Sequence, residues 1–207
     1  MFTSPYPDVD IPDLSIFDYL FGDIEDTDLD RVAVVDGATG AATSYRTLIG
    51  QINRIAGALA ARGVAPGTVV GLLCPNIPAF ASVFHGILRA GGSVTTINSL
   101  YTPEEIQRQL EDSGAELLLT VSPLLGGARS AAQAAGIDDE RLIVLDGAAG
   151  HPSLADLLAR ERMPRASRST RPATLPCSRI PPARRAGRRA CGSATAISWP
   201  MCSRRAT

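Results

Sequence analysis

The chain has 207 residues, a formal net charge of −1, and 45% hydrophobic residues, enough apolar content to exclude a wholly disordered polymer. The near-neutral charge conceals a break near Met163. Residues 1–162 hold all 21 carboxylates and 10 arginines (formal charge −11), while residues 163–207 hold the other 10 arginines, no carboxylate and three of the four cysteines. All 20 basic residues are arginine. With so much Ala, Gly and Pro, this usage reflects a GC-rich coding sequence.

The opening MFTSPYPDVDIPD has neither a basic n-region nor an apolar h-region, so no secretory signal is expected. The apolar runs, such as residues 69–74, are too short to span a bilayer, and a cytoplasmic location is the expectation. Residues 1–162 make one domain's worth of chain, long enough to bury a core. Residues 163–207 lack apolar periodicity and are expected to be disordered.

In chain order, residues 32–35 predict a short strand, the turn Gly37-Ala38-Thr39-Gly40 follows, and Ala42-Thr43 returns as a second strand. Ser44 caps a helix on which Leu48, Ile52, Ile55 and Leu59 form one stripe at steps of 4, 3 and 4. Gly63 ends it. Residues 68–74 are nearly continuous apolar sequence, as in a strand buried on both faces. After Pro75-Asn76, residues 77–90 predict an apolar helix, Gly91-Gly92 a turn, and residues 93–97 a β-branched strand. Thr102-Pro103-Glu104-Glu105 is a helix start with a capping box, and Gly114 stops that helix. A strand over 116–121, a small-residue helix over 126–135, a strand over 141–145 and a helix over 154–160 complete the series. Strands alternating with helices at this spacing predict an α/β fold, a layered, mostly parallel sheet flanked by helices, with residues 69–73 central.

No catalytic, cofactor-binding or metal-ligating residue is assigned. His85 lies in a helix between Phe84 and Gly86 and reads as a packed structural histidine, with a substrate-pocket neighbour as the other reading. His151 precedes Pro152 in a loop and reads as solvated. Glu104, Glu105, Glu111 and Asp112 read as a solvated helix face. Cys74 reads as a reduced core residue, and with Cys177, Cys191 and Cys202 spaced 14 and 11 apart no zinc site is expected. Gly91-Gly92 lacks the glycine spacing and lysine of a phosphate loop. Ser44, Ser82 and Ser99 have no nucleophile-elbow setting.

The ordered pattern is more specific than any single motif. Ser44-Tyr45 with Leu48 is followed by Arg62-Gly63-Val64, Pro66-Gly67, the strand at 69–73 and Pro75-Asn76-x-Pro78. A helix then ends in Ala90-Gly91-Gly92. Asn98 precedes Tyr101-Thr102-Pro103-Glu104-Glu105-Ile106, and Gln109-Leu110-x-x-Ser113-Gly114-Ala115 closes the run. Over residues 4–160 this resembles the N-terminal part of the adenylate-forming (AMP-binding) enzymes, which include acyl- and aryl-CoA ligases, luciferases and peptide-synthetase adenylation domains. The opening Ser4-Pro5-Tyr6-Pro7-Asp8-Val9-Asp10-Ile11-Pro12 looks most like the 4-coumarate–CoA ligase and fatty-acid–CoA ligase branch. One departure is Thr47, where the family often has Glu. The resemblance implies that residues 1–162 are the first subdomain of the large domain. It also implies activation of a fatty or aromatic acid as an acyl-adenylate and transfer to coenzyme A. ATP, Mg and coenzyme A are implied for full-length members and none for this chain, which is expected to be a truncated, inactive fragment.

The family's phosphate loop, a Ser/Thr/Gly-rich stretch ending in Pro-Lys-Gly, is expected just after this body, where the arginine-rich segment stands. Joining the third base of each codon to the first two of the next, from Ala173 to Ser203, allows codons for DLAVLPYSSGTTGRPKGVRLSHRNLVANV. Residues 190–202 are the tighter test, because Trp199 and Met201 have single codons and still allow VRLSHRNLVANV. A frameshift between about Arg160 and Ala173 is therefore expected, with residues 163–207 out of frame. Two other readings exist: a non-catalytic partner for a separately encoded ligase remainder, and nucleic-acid binding by the ten tail arginines. The tail's single aromatic, Trp199, and its lack of a fold signal argue against the second.

Overall fold

The computed structural model describes residues 12–159. Its elements are α1 (Ile16–Phe21), β1 (Val32–Val35), β2 (Ala42–Ser44), α2 (Tyr45–Ala60), β3 (Val69–Leu73), α3 (Pro78–Arg89), β4 (Ser93–Ile97), α4 (Pro103–Ser113), β5 (Ala115–Thr120), α5 (Leu125–Ala134), β6 (Leu142–Val144) and α6 (Leu154–Ala159). Short 3-10 turns occupy Ser122–Leu124 and Asp139–Arg141.

Strands β3 to β6 form a parallel four-stranded sheet in the order β4-β3-β5-β6. The expected α/β class and central β3 are both observed. β1 and β2 pair separately as an antiparallel ribbon. One sheet face carries Val70, Leu72, Leu117, Leu119 and Ile143, covered by Ile55 and Leu59 of α2, Val83 and Ile87 of α3, and Leu157 of α6. The other carries Leu73, Ile97, Leu118 and Leu142, covered by Ile106 and Leu110 of α4 and three alanines of α5. β3 is buried on both faces, which is why its sequence is a continuous apolar run without alternation.

The apolar stripe of α2 is buried as its spacing requires: Leu48 is 5% exposed, and Ile52, Ile55 and Leu59 are 0% exposed. Each such side chain contributes roughly 1.5–3 kcal/mol relative to an exposed one. Gly63 closes the helix at φ +90°, where a side chain would be strained. Its N–H donates to Ala60 O at 3.0 Å, and Val64 N–H donates to Leu59 O at 3.1 Å. This pair of bonds satisfies carbonyls that the helix end would orphan, and it folds Val64 into the core. α4 begins with a complete capping box. Glu105 N–H donates to Thr102 Oγ1 at 3.3 Å, and Thr102 N–H donates to Glu105 Oε2 at 2.9 Å. At α2 only half the device exists, with Thr47 N–H donating to Ser44 Oγ at 3.3 Å, because Thr47 has no carboxylate to return the bond.

Apart from one-residue shifts at the ends of α3, β5 and α5, three features differ from the expectation. α1 is a six-residue helix between Ser15, whose hydroxyl accepts from Asp18 N–H, and Gly22; it is too short to show a period in sequence. β6 starts one residue late, because Arg141 closes the 3-10 turn through its N–H to Asp138 O at 2.9 Å. His151 is half-buried and bridges to Ala148, so it is not simply solvated. The expectations for residues 163–207, including Cys177, Cys191, Cys202 and Trp199, lie outside the described residues.

Candidate functional site

Connectivity locates a crevice before any side chain is considered. β3 leads to β4 through α3 on one face of the sheet, whereas β5 leads to β6 through α5 on the opposite face. β3 and β5 are neighbours, so the loops at their carboxyl ends diverge. Such a divergence is where open α/β sheets bind ligands.

The β3 side of this crevice is Cys74, Pro75 and the exposed Asn76. The β5 side is Thr120, Val121 and Ser122, and β6 adds Asp146. Ser122 N–H donates to Asp146 Oδ1 at 2.7 Å, and its hydroxyl donates to Asp146 Oδ2. Burial would raise the Asp146 carboxyl, but the two Ser122 bonds outweigh it and hold the group below the usual carboxylate range. Thr120 is 0% exposed and its hydroxyl has no partner among the described residues. Burial, with a smaller contribution from Asp146, pushes the Cys74 thiol up to about 11, which keeps it protonated and poorly nucleophilic. After β4, Asn98 Oδ1 accepts from Leu100 N–H at 3.0 Å and presents Leu100, 88% exposed, and Tyr101.

The loops of this edge, residues 74–77, 98–102, 121–124 and 145–153, contain no arginine and one carboxylate, already occupied by Ser122. These four loops contain no lysine-bearing glycine loop of the kind that cradles a polyphosphate, so by themselves they do not fit the ATP phosphates. Among the described residues no group of three or more His, Cys, Asp or Glu is placed to hold a metal ion. No helix among them is long and apolar enough to cross a membrane.

The residues singled out in sequence are dispersed. His85 is on α3, edge-on to Phe21 at 5.4 Å and to Phe84 at 5.3 Å, away from the strand ends. Glu104 is exposed at the start of α4, Glu105 serves the capping box, Glu111 accepts from Gln107 at 2.7 Å, and Asp112 is exposed. Ser82 is buried and donates to Ala79 O at 3.1 Å, beside a cavity of about 110 Å³ also lined by Thr43, Gln51 and Leu154. Gly91-Gly92 is a packing turn: a Cβ on Gly92 would lie 2.7 Å from Val64. Thr120, Ser122 and Asp146 had no motif to mark them; their only sequence signal is their place just beyond buried strands.

The α/β fold agrees with the comparisons. The model of the family described as "AMP-binding enzyme" matches residues 23–179, about three quarters of the chain. The chain belongs to the AMP-binding enzyme family. The match ends at 179, beyond the change of composition at Met163, so the two boundaries do not coincide. Two rice (Oryza sativa subsp. japonica) proteins are similar. 4-coumarate–CoA ligase 5 is 40% identical over 121 residues, covering 58% of this chain and 22% of the relative. 4-coumarate–CoA ligase 3 is 32% identical over 165 residues, covering 79% and 29%. The long-chain-fatty-acid–CoA ligase structure from Archaeoglobus fulgidus shares the fold at a TM-score of 0.66 and 19% identity, covering 76% of this chain and 32% of that one. The chain spans less than a third of the length of these relatives.

Proposed function

We propose that this chain carries the first subdomain of an AMP-forming acid–CoA ligase, and that its 207 residues alone do not complete the reaction. Such an enzyme joins a carboxylate to ATP as an acyl-adenylate, releases pyrophosphate, and transfers the acyl group to the thiol of coenzyme A. The observation that carries this reading is the family match over residues 23–179, together with 40% identity to a 4-coumarate–CoA ligase. Those relatives' names favour a hydroxycinnamic-type aromatic acid over a fatty acid as substrate. Stabilising charge on a transferring phosphoryl group requires positioned donors and cations. The loops of the described strand ends contain no arginine, and the chain has no lysine.

We assign the missing phosphate loop to the displaced reading of residues 173–203, YSSGTTGRPKGV, which supplies the hydroxyls, glycines and lysine. The test compares acid-dependent pyrophosphate release by the chain as it stands with release by a product in which the frame is restored. Hydroxycinnamic and fatty acids are each supplied with ATP and coenzyme A. Release by the restored product alone supports the proposal. Turnover by the 207-residue chain alone contradicts it. Activity on mixing the chain with a separately expressed remainder identifies the chain as one half of a split ligase.

A further inference from the structure

α1 docks on α3 through two aromatic side chains. Phe17 lies under the Arg89 guanidinium, and Phe21, at the other end of the helix, meets the His85 ring edge-on at 5.4 Å and 89°. His85 and Arg89 are four residues apart on α3, so they stand on the same helix face, one turn apart. The His85 ring is also edge-on to Phe84, at 5.3 Å and 85°. Its Nδ1 is buried and has no hydrogen-bond partner among the described residues. Among the described residues, α1 brings Asp18 to this interface and α3 brings Arg89, and they bond to each other at 3.3 Å. α2 contributes Asn53, which accepts from Arg89 Nε at 2.8 Å, while Arg54 turns back to the Gly50 carbonyl of its own helix. The Asp18 carboxylate is already held by the Ser15 hydroxyl and by Arg89, so it is not available to compensate a positive imidazole.

We infer that His85 is a proton-sensitive wedge: α1 stays docked while the imidazole is neutral and is released when it is protonated. Protonation puts a donor on Nδ1 where nothing accepts it, and places a second cation one helical turn from Arg89. Burial holds the His85 pKa below its ordinary value, so the undocked state, with the ring in water, binds the proton more readily. The sign follows. Docking is at full strength at neutral pH and weakens as pH falls through and below about 6.5, the value of a solvated histidine. α1 reports this directly, because a six-residue helix does not persist in water without its docking partner.

The experiment is amide hydrogen exchange on the full chain at pH 7.5 and 5.5, corrected for intrinsic exchange. It follows the amides of α1, such as Tyr19 and Gly22, with those of α4 as the internal control. The expected result is a severalfold rise in α1 opening at pH 5.5 with α4 unchanged. That rise persists in Asp18→Asn and is lost in both His85→Phe and His85→Gln, of which the second keeps a polar group if the first disturbs folding. Equal α1 opening at the two pH values overturns the inference. So does an acid response that survives in both His85 variants, or one that disappears in Asp18→Asn.

Discussion

The Arg89 guanidinium carbon lies 3.8 Å from the centroid of the Phe17 ring, although the two residues are 72 positions apart in sequence. The same side chain donates to Asn53 Oδ1 at 2.8 Å and to Asp18 Oδ1 at 3.3 Å, so one residue of α3 ties down both α1 and α2. Arg89→Ala should weaken α1 docking by about 1–2 kcal/mol, mostly from the lost cation–π contact, since the half-exposed Asp18 pair contributes little. Arg89→Lys should recover only part, because an ammonium cannot cover the ring and bond Asn53 together. Limited proteolysis between α1 and β1 checks this; equal cleavage rates in Arg89→Ala and the parent chain would contradict it.

Gly86 sets how closely α2 and α3 approach. A Cβ there would fall 2.5 Å from Cγ2 and 2.9 Å from Cβ of Ile55, and the second of these is fixed to the α2 backbone. Gly86→Ala should therefore destabilise the domain by about 1–3 kcal/mol despite the better helix propensity of alanine. Urea unfolding measures it. Ile55→Ala in the same chain should offset part of the overpacking, giving a favourable coupling in the double-mutant cycle.

Cys74 should not react with thiol reagents at pH 8 while the domain is folded, and should react rapidly in denaturant. A chain with Cys177, Cys191 and Cys202 replaced by serine isolates its signal. The folded thiol sits near 11 and the unfolded one near 8.5, so burial favours the protonated form. That contribution is intact below about pH 8.5 and is lost as pH rises toward 11. Cys74→Ala should flatten this part of the alkaline stability profile; an unchanged slope would contradict the assignment.

The two helix starts make a matched pair. Thr102→Ala removes a complete capping box and should cost about 1 kcal/mol. Thr47→Glu should supply the missing half of the box at α2 and gain a few tenths to about 1 kcal/mol, because it returns a bond to the Ser44 N–H and places a carboxylate in the first turn. Thermal unfolding of the two variants should shift in opposite directions.

Much of the fold was legible because its signals are local. The Leu48, Ile52, Ile55, Leu59 stripe and the Thr102-Pro103-x-Glu105 start each specify one helix and one orientation. Strand order was not legible. β3, β5 and β6 are apolar runs buried on both faces, and a run without alternation carries no information about which neighbour it pairs with. The Ser122–Asp146 pair joins residues 24 positions apart and depends on β5 and β6 being adjacent, which only the folded sheet establishes. α1 was missed because six residues span under two turns, and its anchors, His85 and Arg89, come from a distant helix.

We propose that this domain belongs to a ligase whose phosphate loop is encoded one base out of step with residues 173–203. The most direct measurement is the coding DNA from Leu154 to beyond the codon for Thr207, read in all three frames. The expected result is an open displaced frame containing YSSGTTGRPKGV followed by VRLSHRNLVANV-like sequence. Stop codons in that frame, or a displaced reading without the Ser/Thr/Gly run and its Pro-Lys-Gly, would contradict it.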